Sequence, residues 1–179
     1  ITTPFTEEMS RKLKAGDSVL ITGTIISARD AAHKAMTEAL AKGEPLPVDW
    51  HDQIVYYLGP TPAKPGDPIG SAGPTTSGRM DAYTPTMLAQ GIKGMVGKGS
   101  RSPEVVEAMK KHGVTYFAAV GGAAALIAKS VKKYEVVGYP ELGPEAVAKL
   151  TVEDFPCIVV IDSEGNNFYE MGQKPYRRL

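Results

Sequence analysis

Hydrophobic and polar positions along this chain follow two periods, one typical of helices and one typical of strands. Residues 29–42 predict an amphipathic helix that Gly43 ends. The apolar side chains of this helix share one face: Ala31, Ala32, Ala35, Met36, Ala39 and Leu40. Arg29, Asp30 and His33 are predicted to lie off that face.

Runs rich in β-branched residues predict strands between several further helices. Strands are expected at 19–27, 54–58, 94–99, 114–120, 134–137 and 157–162, the third of which turns into a glycine-rich loop. Helices are expected at 7–13, 84–91, 102–113 and 123–131. Thr84 and Ser102 each precede a proline, a start signal in which the hydroxyl caps the helix. A turn at 163–167 is expected to lead into a last edge strand. Strands that alternate with helices indicate an α/β layered domain.

Two segments are predicted to lack regular structure. Residues 59–83 are rich in Pro, Gly, Ser and Thr, and a loop of that length inside a compact domain is usually functional or disordered. We interpret it as a functional loop. Residues 171–179 are expected to form a loose tail. The whole length, residues 1–179, fits one domain that can bury its own core.

Composition and charge exclude several classes of function. Twenty Lys and Arg residues balance twenty Asp and Glu residues, so no overall field favours nucleic acid or an anionic membrane. Any function based on charge must therefore be local. The longest nearly apolar stretch, residues 117–128, is too short to span a bilayer. The first residues lack a basic start before an apolar core, so we expect no signal peptide and a cytoplasmic protein, with Ile1 following a trimmed native start.

The chain contains one cysteine, Cys157, in an apolar run. One thiol excludes an internal disulfide and any cysteine-only metal or iron–sulfur site built from this chain alone, because such sites need about three or four thiolates. Cys157 is interpreted as a small core residue rather than a nucleophile. No metal site is expected within this chain.

Three segments each place a cation beside glycines or a helix start. In the first, Arg29 sits at a strand-to-helix junction with His33 one turn later, and backbone N–H groups there favour an anion. The alternative is a solvated helix face on which Arg29 pairs with an acidic neighbour and Asp30 pairs with Lys34.

The second segment, residues 73–81, sets three adjacent hydroxyls between glycines and follows them with Arg79. The hydroxyls belong to Thr75, Thr76 and Ser77. Hydroxyls, exposed backbone amides and a guanidinium group can together bind a carboxylate or phosphate oxygen. The alternative is an ordinary turn, since Gly, Pro, Ser and Thr are turn residues in their own right.

The third segment, residues 97–102, places Lys98 between Gly97 and Gly99. Glycines let a backbone approach a ligand, and a helix start follows. The spacing does not match a phosphate-binding P-loop, which needs a glycine five residues before its Gly–Lys pair and Ser or Thr after it. Ile92 and Gly99 occupy those places here.

Four runs of this sequence resemble one known family. They are GTIISARDAAHK at 23–34, GPTTSGRMD at 73–81, MVGKGSRS at 95–102 and GYPELGPEAVAKLTVEDFPCIVVID at 138–162. In these runs, and in the same order over residues 18–170, the chain resembles the β part of class I fumarate hydratases, which are iron–sulfur hydro-lyases. The family includes the β subunit of L-tartrate dehydratase.

The resemblance implies a swivelling β/β/α domain that closes over a 4Fe-4S cluster. A separate α subunit would ligate the cluster, and this chain would supply half of a composite active site and be inactive alone. An α2β2 heterotetramer and a small dicarboxylate substrate are expected, with neither nucleic acid nor membrane as a partner.

The resemblance also implies roles for particular side chains. Arg29, Arg79 and Lys98 would bind the two carboxylates of the substrate, and Thr75 would be the proton-abstracting hydroxyl. The alternative is that Thr75 and Thr76 only hydrogen-bond the substrate, while an acidic residue of the α subunit moves the proton.

Further residues are expected to support this set. Asp30 and His33 would orient Arg29 and line the subunit contact, and Asp81 would brace Arg79. Close backbone approach would be allowed by the glycines of the second and third segments: Gly73, Gly78, Gly97 and Gly99.

The function that the resemblance favours is the reversible hydration of fumarate to (S)-malate. The nearest alternative is the same architecture converting L-tartrate to oxaloacetate. A third interpretation, from another class, is a module that binds small anions without catalysis. Such a module would need no partner and would bind dicarboxylates tightly by itself.

Overall fold

The structure, a computed structural model, describes residues 1–119 and 124–177. Within these ranges the helices are α1 (Glu7–Lys12), α2 (Asp30–Ala41), α3 (Thr84–Leu88), α4 (Pro103–His112), α5 (Ala124–Ser130) and α6 (Phe168–Met171). The strands are β1 (Ser18–Ser27), β2 (Ile54–Tyr56), β3 (Gly94–Gly97), β4 (Thr115–Ala119), β5 (Val131–Gly138) and β6 (Val147–Ile161). Short 3-10 helices occupy Ser77–Met80, Pro140–Glu145 and Lys174–Tyr176. The predicted mixed α/β class is confirmed.

The sheet closes on itself through its longest strand. Strands β1, β2, β3 and β4 run parallel in that order. Strand β6 runs antiparallel to both β1 and β4 and so joins the two ends of the parallel set. Strand β5 pairs with the first half of β6. Because β1 to β4 are parallel, their carboxyl ends lie at one edge of the sheet.

Strand β6 is much longer than the pattern predicted. The sequence predicts a strand only at 157–162, whereas β6 has 15 residues and begins at Val147. Pro156 and Asp154, the latter with a φ of 51°, lie inside it and break the usual strand signal. Pairing with β1 on one side, and with β5 and then β4 on the other, holds this segment extended.

The segment after β6 also differs from the prediction. The prediction of an edge strand after residues 163–167 is wrong, because residues 168–171 form α6. The Asn167 side chain accepts a hydrogen bond from the Tyr169 N–H, 3.0 Å away, and caps this helix. Part of the tail predicted to be loose, Lys174–Tyr176, forms a 3-10 turn. The last two residues of that tail lie outside the described residues.

The two predicted proline-marked helix starts have different outcomes. Ser102 caps α4 as expected, accepting a hydrogen bond from the Val105 N–H, and the helix ends at Gly113 in the left-handed region. Thr84 does not cap α3 but is its first residue. Its hydroxyl instead donates to the Met80 carbonyl oxygen at 2.8 Å.

Other predicted elements agree with the structure within a few residues. The predicted helices at 7–13 and 29–42 correspond to α1 and α2, and the first four predicted strands correspond to β1, β2, β3 and β4. The strand predicted at 134–137 begins earlier, at Val131, directly after α5. The predicted strand end at Val120 and the predicted helix start at Ala123 lie outside the described residues.

Two hydrophobic clusters stabilise the two faces of the closed sheet. Ile54 and Tyr56 belong to the inner cluster, which gathers side chains from all six strands. Val55 and Tyr57 point the other way and belong to the outer cluster, between the sheet and α2, α3 and α4. This alternation follows from the two-residue period of a strand. No helix among the described residues has the length and apolar character needed to cross a membrane.

Candidate functional site

The three cationic segments meet at the carboxyl edge of the parallel strands. Arg29 lies two residues after the end of β1, the 59–83 segment follows β2, and Lys98 comes directly after β3. In open α/β sheets, ligands bind at this edge because the loops of neighbouring strands converge there. Here the parallel strands β1, β2 and β3 place all three segments at the same edge.

Direct hydrogen bonds join the second and third segments. The Ser77 N–H donates to the Lys98 carbonyl oxygen at 2.9 Å, and the Lys98 N–H donates to Ser77 Oγ at 3.1 Å. The Thr75 N–H donates to the Tyr57 carbonyl oxygen at 2.8 Å, which attaches the loop to the end of β2. The hydroxyl-rich run and the lysine therefore lie side by side.

Two carboxylates orient the guanidinium group of Arg29. Its Nε lies 3.4 Å from Asp30 Oδ2 and 3.3 Å from Glu145 Oε1. Its guanidinium lies against Gly59, where an added Cβ would overlap Nη1. Glu145 also accepts a hydrogen bond from the Ala31 N–H at 3.3 Å and so satisfies the start of α2, where Arg29 provides no side-chain cap.

Asp30 connects Arg29 with Arg79. The Arg79 Nε donates to Asp30 Oδ1 at 2.8 Å, across 49 positions of sequence. Burial opposes ionisation of Asp30, but its own backbone N–H and Arg79 hold the pKa of its carboxyl below the ordinary value. The alternative pairing of Asp30 with Lys34 is not among the ion pairs of the described residues. One ionised carboxylate thus links the first and second segments.

The two arginines bind these carboxylates through Nε alone. Within residues 1–119 and 124–177, the Nη atoms of Arg29 and Arg79 donate no hydrogen bond to the protein. The Arg79 side chain is 55% exposed, and Lys98 is exposed as well. Within the same residues the Thr75 hydroxyl makes no hydrogen bond, and Thr75 is half-buried. These donors are oriented by the chain but remain available to a ligand.

The sequence predicted that Asp81 braces Arg79. In the structure Asp81 pairs with Arg101 instead. Asp81 Oδ1 accepts from the Arg101 Nε at 2.8 Å, and Oδ2 accepts from the Ser102 N–H at 2.8 Å. Arg79 turns instead to Asp30. The reason is that Asp81 follows the 3-10 turn and faces the start of α4, beneath the surface that carries Arg79.

His33 is also placed differently from the prediction. It is buried, at 1% exposure, rather than off the apolar face of α2, so it does not line a surface. Nδ1 donates to the Arg29 carbonyl oxygen at 2.9 Å, and the ring meets Tyr57 edge to face. Burial lowers the pKa of His33 to about 4, so the imidazole is neutral at pH 7. His33 supports the backbone of Arg29 and is not a proton carrier at the surface.

The glycines of the site differ in what the fold requires of them. A Cβ on Gly97 would overlap Ser77 Oγ and lie 2.8 Å from Tyr57, so this position needs glycine for close packing. Gly99 has a φ of +83°, which favours glycine. A Cβ on Gly73 would lie 3.1 Å from Ala124, and one on Gly78 would meet nothing nearer than 3.7 Å.

Sequence reasoning missed Arg101, Glu145 and Gly59. Arg101 lies in the third cationic segment, residues 97–102, and its side chain is fully buried. Burial disfavours its charge, but Tyr57 and Asp81 hold the pKa of Arg101 above its ordinary value. Each of these residues acts through a partner far away in sequence, so no local pattern could have found it.

The cationic edge is open to solvent, since the Arg79 side chain is 55% exposed and Lys98 is exposed as well. Two clefts, of about 780 Å³ and 660 Å³, lie elsewhere on the chain, and none of Arg29, Thr75, Arg79 and Lys98 lines either of them. Chemically, the edge can bind carboxylate or phosphate oxygens. Because such a ligand would remain in water on this chain alone, an enclosed site needs a second surface.

The residues present do not fit an iron–sulfur cluster. The single cysteine, Cys157, is buried, and burial raises the pKa of its thiol to about 12. In the part of the chain that the structure describes, no group of three or more His, Cys, Asp and Glu side chains is arranged to hold a metal ion. A cluster needs about three or four thiolates.

Comparison with known proteins supports one family. A family model described as "Fumarase C-terminus" matches residues 1–172. The chain is 46% identical over 155 residues to the aerobic class I fumarate hydratase of Escherichia coli (strain K12), a match that covers 86% of this chain and 28% of that protein. The corresponding protein of Salmonella typhimurium is also 46% identical, with 86% and 27% covered.

A relative of different length is similar over nearly its whole sequence. The chain is 43% identical over 181 residues to a protein of Methanocaldococcus jannaschii named as a putative L(+)-tartrate dehydratase subunit beta. That match covers 97% of this chain and 93% of the relative. The chain therefore spans just over a quarter of the fumarate hydratases above, with 27% and 28% covered, but almost all of a protein named as a subunit.

Proposed function

Because this chain belongs to the Fumarase C-terminus family, we propose that it supplies one side of the active site of a hydro-lyase that interconverts fumarate and (S)-malate. The observation that carries the proposal is the open edge at which Arg29, Arg79 and Lys98 converge. The two arginines are oriented there through Nε, with Nη atoms available to a dicarboxylate.

The reaction explains why such donors are needed. Dehydration of malate removes a proton next to a carboxylate and expels hydroxide, so negative charge builds up on that carboxylate. Donors that are already oriented stabilise the growing charge without reorganising. Asp30 and Glu145 hold the two guanidinium groups in place, and guanidinium nitrogens can bind a carboxylate in a bidentate manner. Lys98 adds a point charge for the second carboxylate.

We propose Thr75 as the group that takes the proton. Its half-buried hydroxyl has no hydrogen-bond partner within residues 1–119 and 124–177, which leaves it available to the substrate. A free alcohol titrates far above pH 7, so it needs activation by the neighbouring cations or by a group of a partner chain. The alternative is that Thr75 and Thr76 hydrogen-bond the substrate while a carboxylate of the partner moves the proton.

We further propose that the second surface belongs to an α subunit that holds a 4Fe-4S cluster, in an α2β2 heterotetramer. Support comes from the open edge, from the single buried thiol and from the similarity to a protein named as a subunit beta. The chain, residues 1–179, would act as one swivelling β/β/α domain that closes over the cluster. Residues 59–83 would be its functional loop and residues 171–179 a loose tail.

The second candidate function is L-tartrate dehydration to oxaloacetate. It is favoured by the near full-length similarity to the Methanocaldococcus jannaschii protein. Both substrates are 2-hydroxydicarboxylates, so the same cations can bind either. The groups that distinguish them would contact the second hydroxyl of tartrate, and a partner chain would supply at least some of them.

The deciding experiment mixes this chain anaerobically with a candidate cluster-bearing α subunit. The absorbance of fumarate is followed with malate as substrate, and oxaloacetate formation is followed with L-tartrate; each chain alone is the control. Malate turnover that needs both chains supports the fumarate hydratase, and a preference for tartrate moves the assignment to the sister enzyme. An intact complex without turnover, with tight dicarboxylate binding by this chain alone, would leave a small-anion-binding module and contradict the proposal.

A further inference from the structure

We infer that Arg101 is a positioning residue that fixes the two loops carrying Arg79 and Lys98 relative to one another. Its guanidinium lies beneath the site and does not reach the open edge. The expected effect of Arg101 on turnover rests on the proposed function. Its effect on how firmly the two loops are held rests only on the contacts that Arg101 makes.

Each nitrogen of the Arg101 guanidinium has a partner from a different part of the chain. Nε donates to Asp81 Oδ1 at 2.8 Å, Nη1 donates to the Tyr57 hydroxyl at 3.2 Å, and Nη2 donates to Thr84 Oγ1 at 2.8 Å. Nη1 also lies 3.3 Å from the Met95 sulfur. One side chain thereby ties the end of β2, the end of the 3-10 turn and the start of α3 to the loop after β3.

The position of Arg101 is also fixed by two aromatic rings. Its Cζ lies 5.2 Å from the ring centre of Tyr57 and 5.1 Å from that of Tyr116. The Tyr116 hydroxyl lies 2.8 Å from the Gly99 carbonyl oxygen and 2.9 Å from Ser77 Oγ. The same Ser77 oxygen accepts the Lys98 N–H. Contacts therefore run without a gap from Arg101 to the backbone that carries Lys98.

The second loop is held through Asp81. Its carboxylate bridges the Arg101 Nε and the Ser102 N–H, and Arg79 lies two residues before it. Loss of Arg101 would leave this carboxylate with one partner and free the 3-10 turn to move. Because misplacement of a binding group by about 1 Å can cost about 100-fold in rate, such movement would be visible in turnover.

Only a guanidinium matches this set of partners. A lysine at position 101 would keep the charge near Asp81, but one ammonium cannot also reach Tyr57 and Thr84 in the plane of the fork. Arg101→Lys is therefore the informative variant, because it retains the buried charge pair and removes the cross-links. Tyr57→Phe, which removes one acceptor and keeps the ring, is the milder second variant if Arg101→Lys folds poorly.

The first test measures amide hydrogen exchange by NMR in this chain. Three amides report on the loops, since the N–H groups of Ser77, Lys98 and Ser102 all donate across the two loops. We expect exchange at these amides to become at least about tenfold faster in Arg101→Lys, and to rise less in Tyr57→Phe. Amides of the β1 and β6 ladder should keep their wild-type rates. The control is Arg11→Lys, at an exposed ion pair of α1.

Two results would overturn the inference. Unchanged exchange at the three loop amides would mean that Arg101 does not hold the loops. Equal acceleration at the loop amides and in the β1 and β6 ladder would mean that Arg101 only stabilises the whole fold.

The second test uses the complex with the cluster-bearing chain. We expect Arg101→Lys to lower kcat/KM about 100-fold, through both kcat and KM, with Arg11→Lys unchanged. Wild-type kinetics in Arg101→Lys would contradict a positioning role even where the loops exchange faster. If the wild-type complex itself does not turn over, the proposed function fails, and the exchange experiment still decides how Arg101 acts.

Discussion

Asp30 receives an Nε–H from each of two arginines, so a single carboxylate sets the direction of both guanidinium groups. An arginine held through Nε presents its two Nη groups outward, which is the geometry that a bidentate carboxylate requires. Arg29 has a second carboxylate, Glu145, whereas Arg79 depends on Asp30. At the scale of the residue, the site is thus a cationic surface on which acidic side chains orient the two arginines.

Arg79→Ala should abolish most activity and cost little stability. In the proposed complex with a cluster-bearing chain we expect kcat to fall about 100- to 1000-fold, because the proposed donor to the developing charge is lost. The free energy of unfolding should change by less than about 1 kcal/mol, since the Arg79 side chain is 55% exposed. Steady-state kinetics and urea unfolding measure the two quantities, with Arg11→Ala as the control. Wild-type kinetics would remove Arg79 from the site.

His33 should make folding stability depend on pH. The unfolded chain takes up a proton near pH 6.5, whereas burial lowers the folded pKa to about 4, so the unfolded state binds more protons between these values. The stabilisation is fully present above pH 6.5 and falls by about 3 kcal/mol as the pH drops to 4. Urea unfolding at several pH values measures this loss.

His33→Gln should remove most of that dependence between pH 6.5 and 4.5. His51→Gln, at a largely exposed ring, should keep it. A smaller slope of the same sign should persist in His33→Gln, because partial burial and Lys111 and Lys93 lower the pKa of His112. An unchanged slope in His33→Gln would contradict the burial of its imidazole in solution.

At the scale of the element, the short parallel strands act as supports for the loops that follow them. Strand β3 has only four residues, all buried, and Lys98 comes directly after its last glycine. Gly97 allows Ser77 and Tyr57 to pack against that strand end. The strand therefore determines how closely the second and third segments can approach one another.

Gly97→Ala should separate those segments, whereas Gly78→Ala should not. A Cβ at position 97 would overlap Ser77 Oγ, and we expect a loss of about 2 kcal/mol in the free energy of unfolding. At Gly78 the nearest atom would be 3.7 Å away, so the matched variant should keep wild-type stability. Thermal or urea unfolding of the two variants gives the comparison, and equal stabilities would show that the β3 end yields to a side chain.

The sequence predicted the elements whose signals are local. Helix α4 is an example, because Ser102 and Gly113 directly flank its two ends and mark them. Placing Arg29, Arg79 and Lys98 in one site needed the family resemblance, and the parallel strands then explain their proximity. Features that depend on distant partners were missed or wrong. The burial of His33, the Asp81 partner and the first half of β6 are all decided by contacts over long sequence separations.

At the scale of the whole molecule, β6 closes the sheet at Cys157. This residue is paired with Val19 of β1 and with Ala119 of β4, the two ends of the parallel set. Cys157 is only 3% exposed. Its accessibility therefore reports whether the sheet is closed.

Cys157 should react with a thiol reagent only when the molecule opens. Burial raises the pKa of the thiol to about 12, so the thiolate fraction at pH 8 is very small as well as shielded. We expect labelling at pH 8 to take hours without denaturant and to accelerate in parallel with unfolding in urea. An added cysteine at exposed position 44, in Glu44→Cys, should react within seconds. Rapid labelling of the native wild-type chain would contradict the closed sheet.

The burial of Cys157 also determines how slowly this chain reacts with oxidants. Peroxide converts thiols to sulfenic and sulfinic acids in proportion to their thiolate character and access, and Cys157 has little of either. The only cysteine of the chain is therefore protected in air. A stock purified aerobically should keep an intact thiol, so only the proposed cluster-bearing partner would need the exclusion of oxygen during assembly.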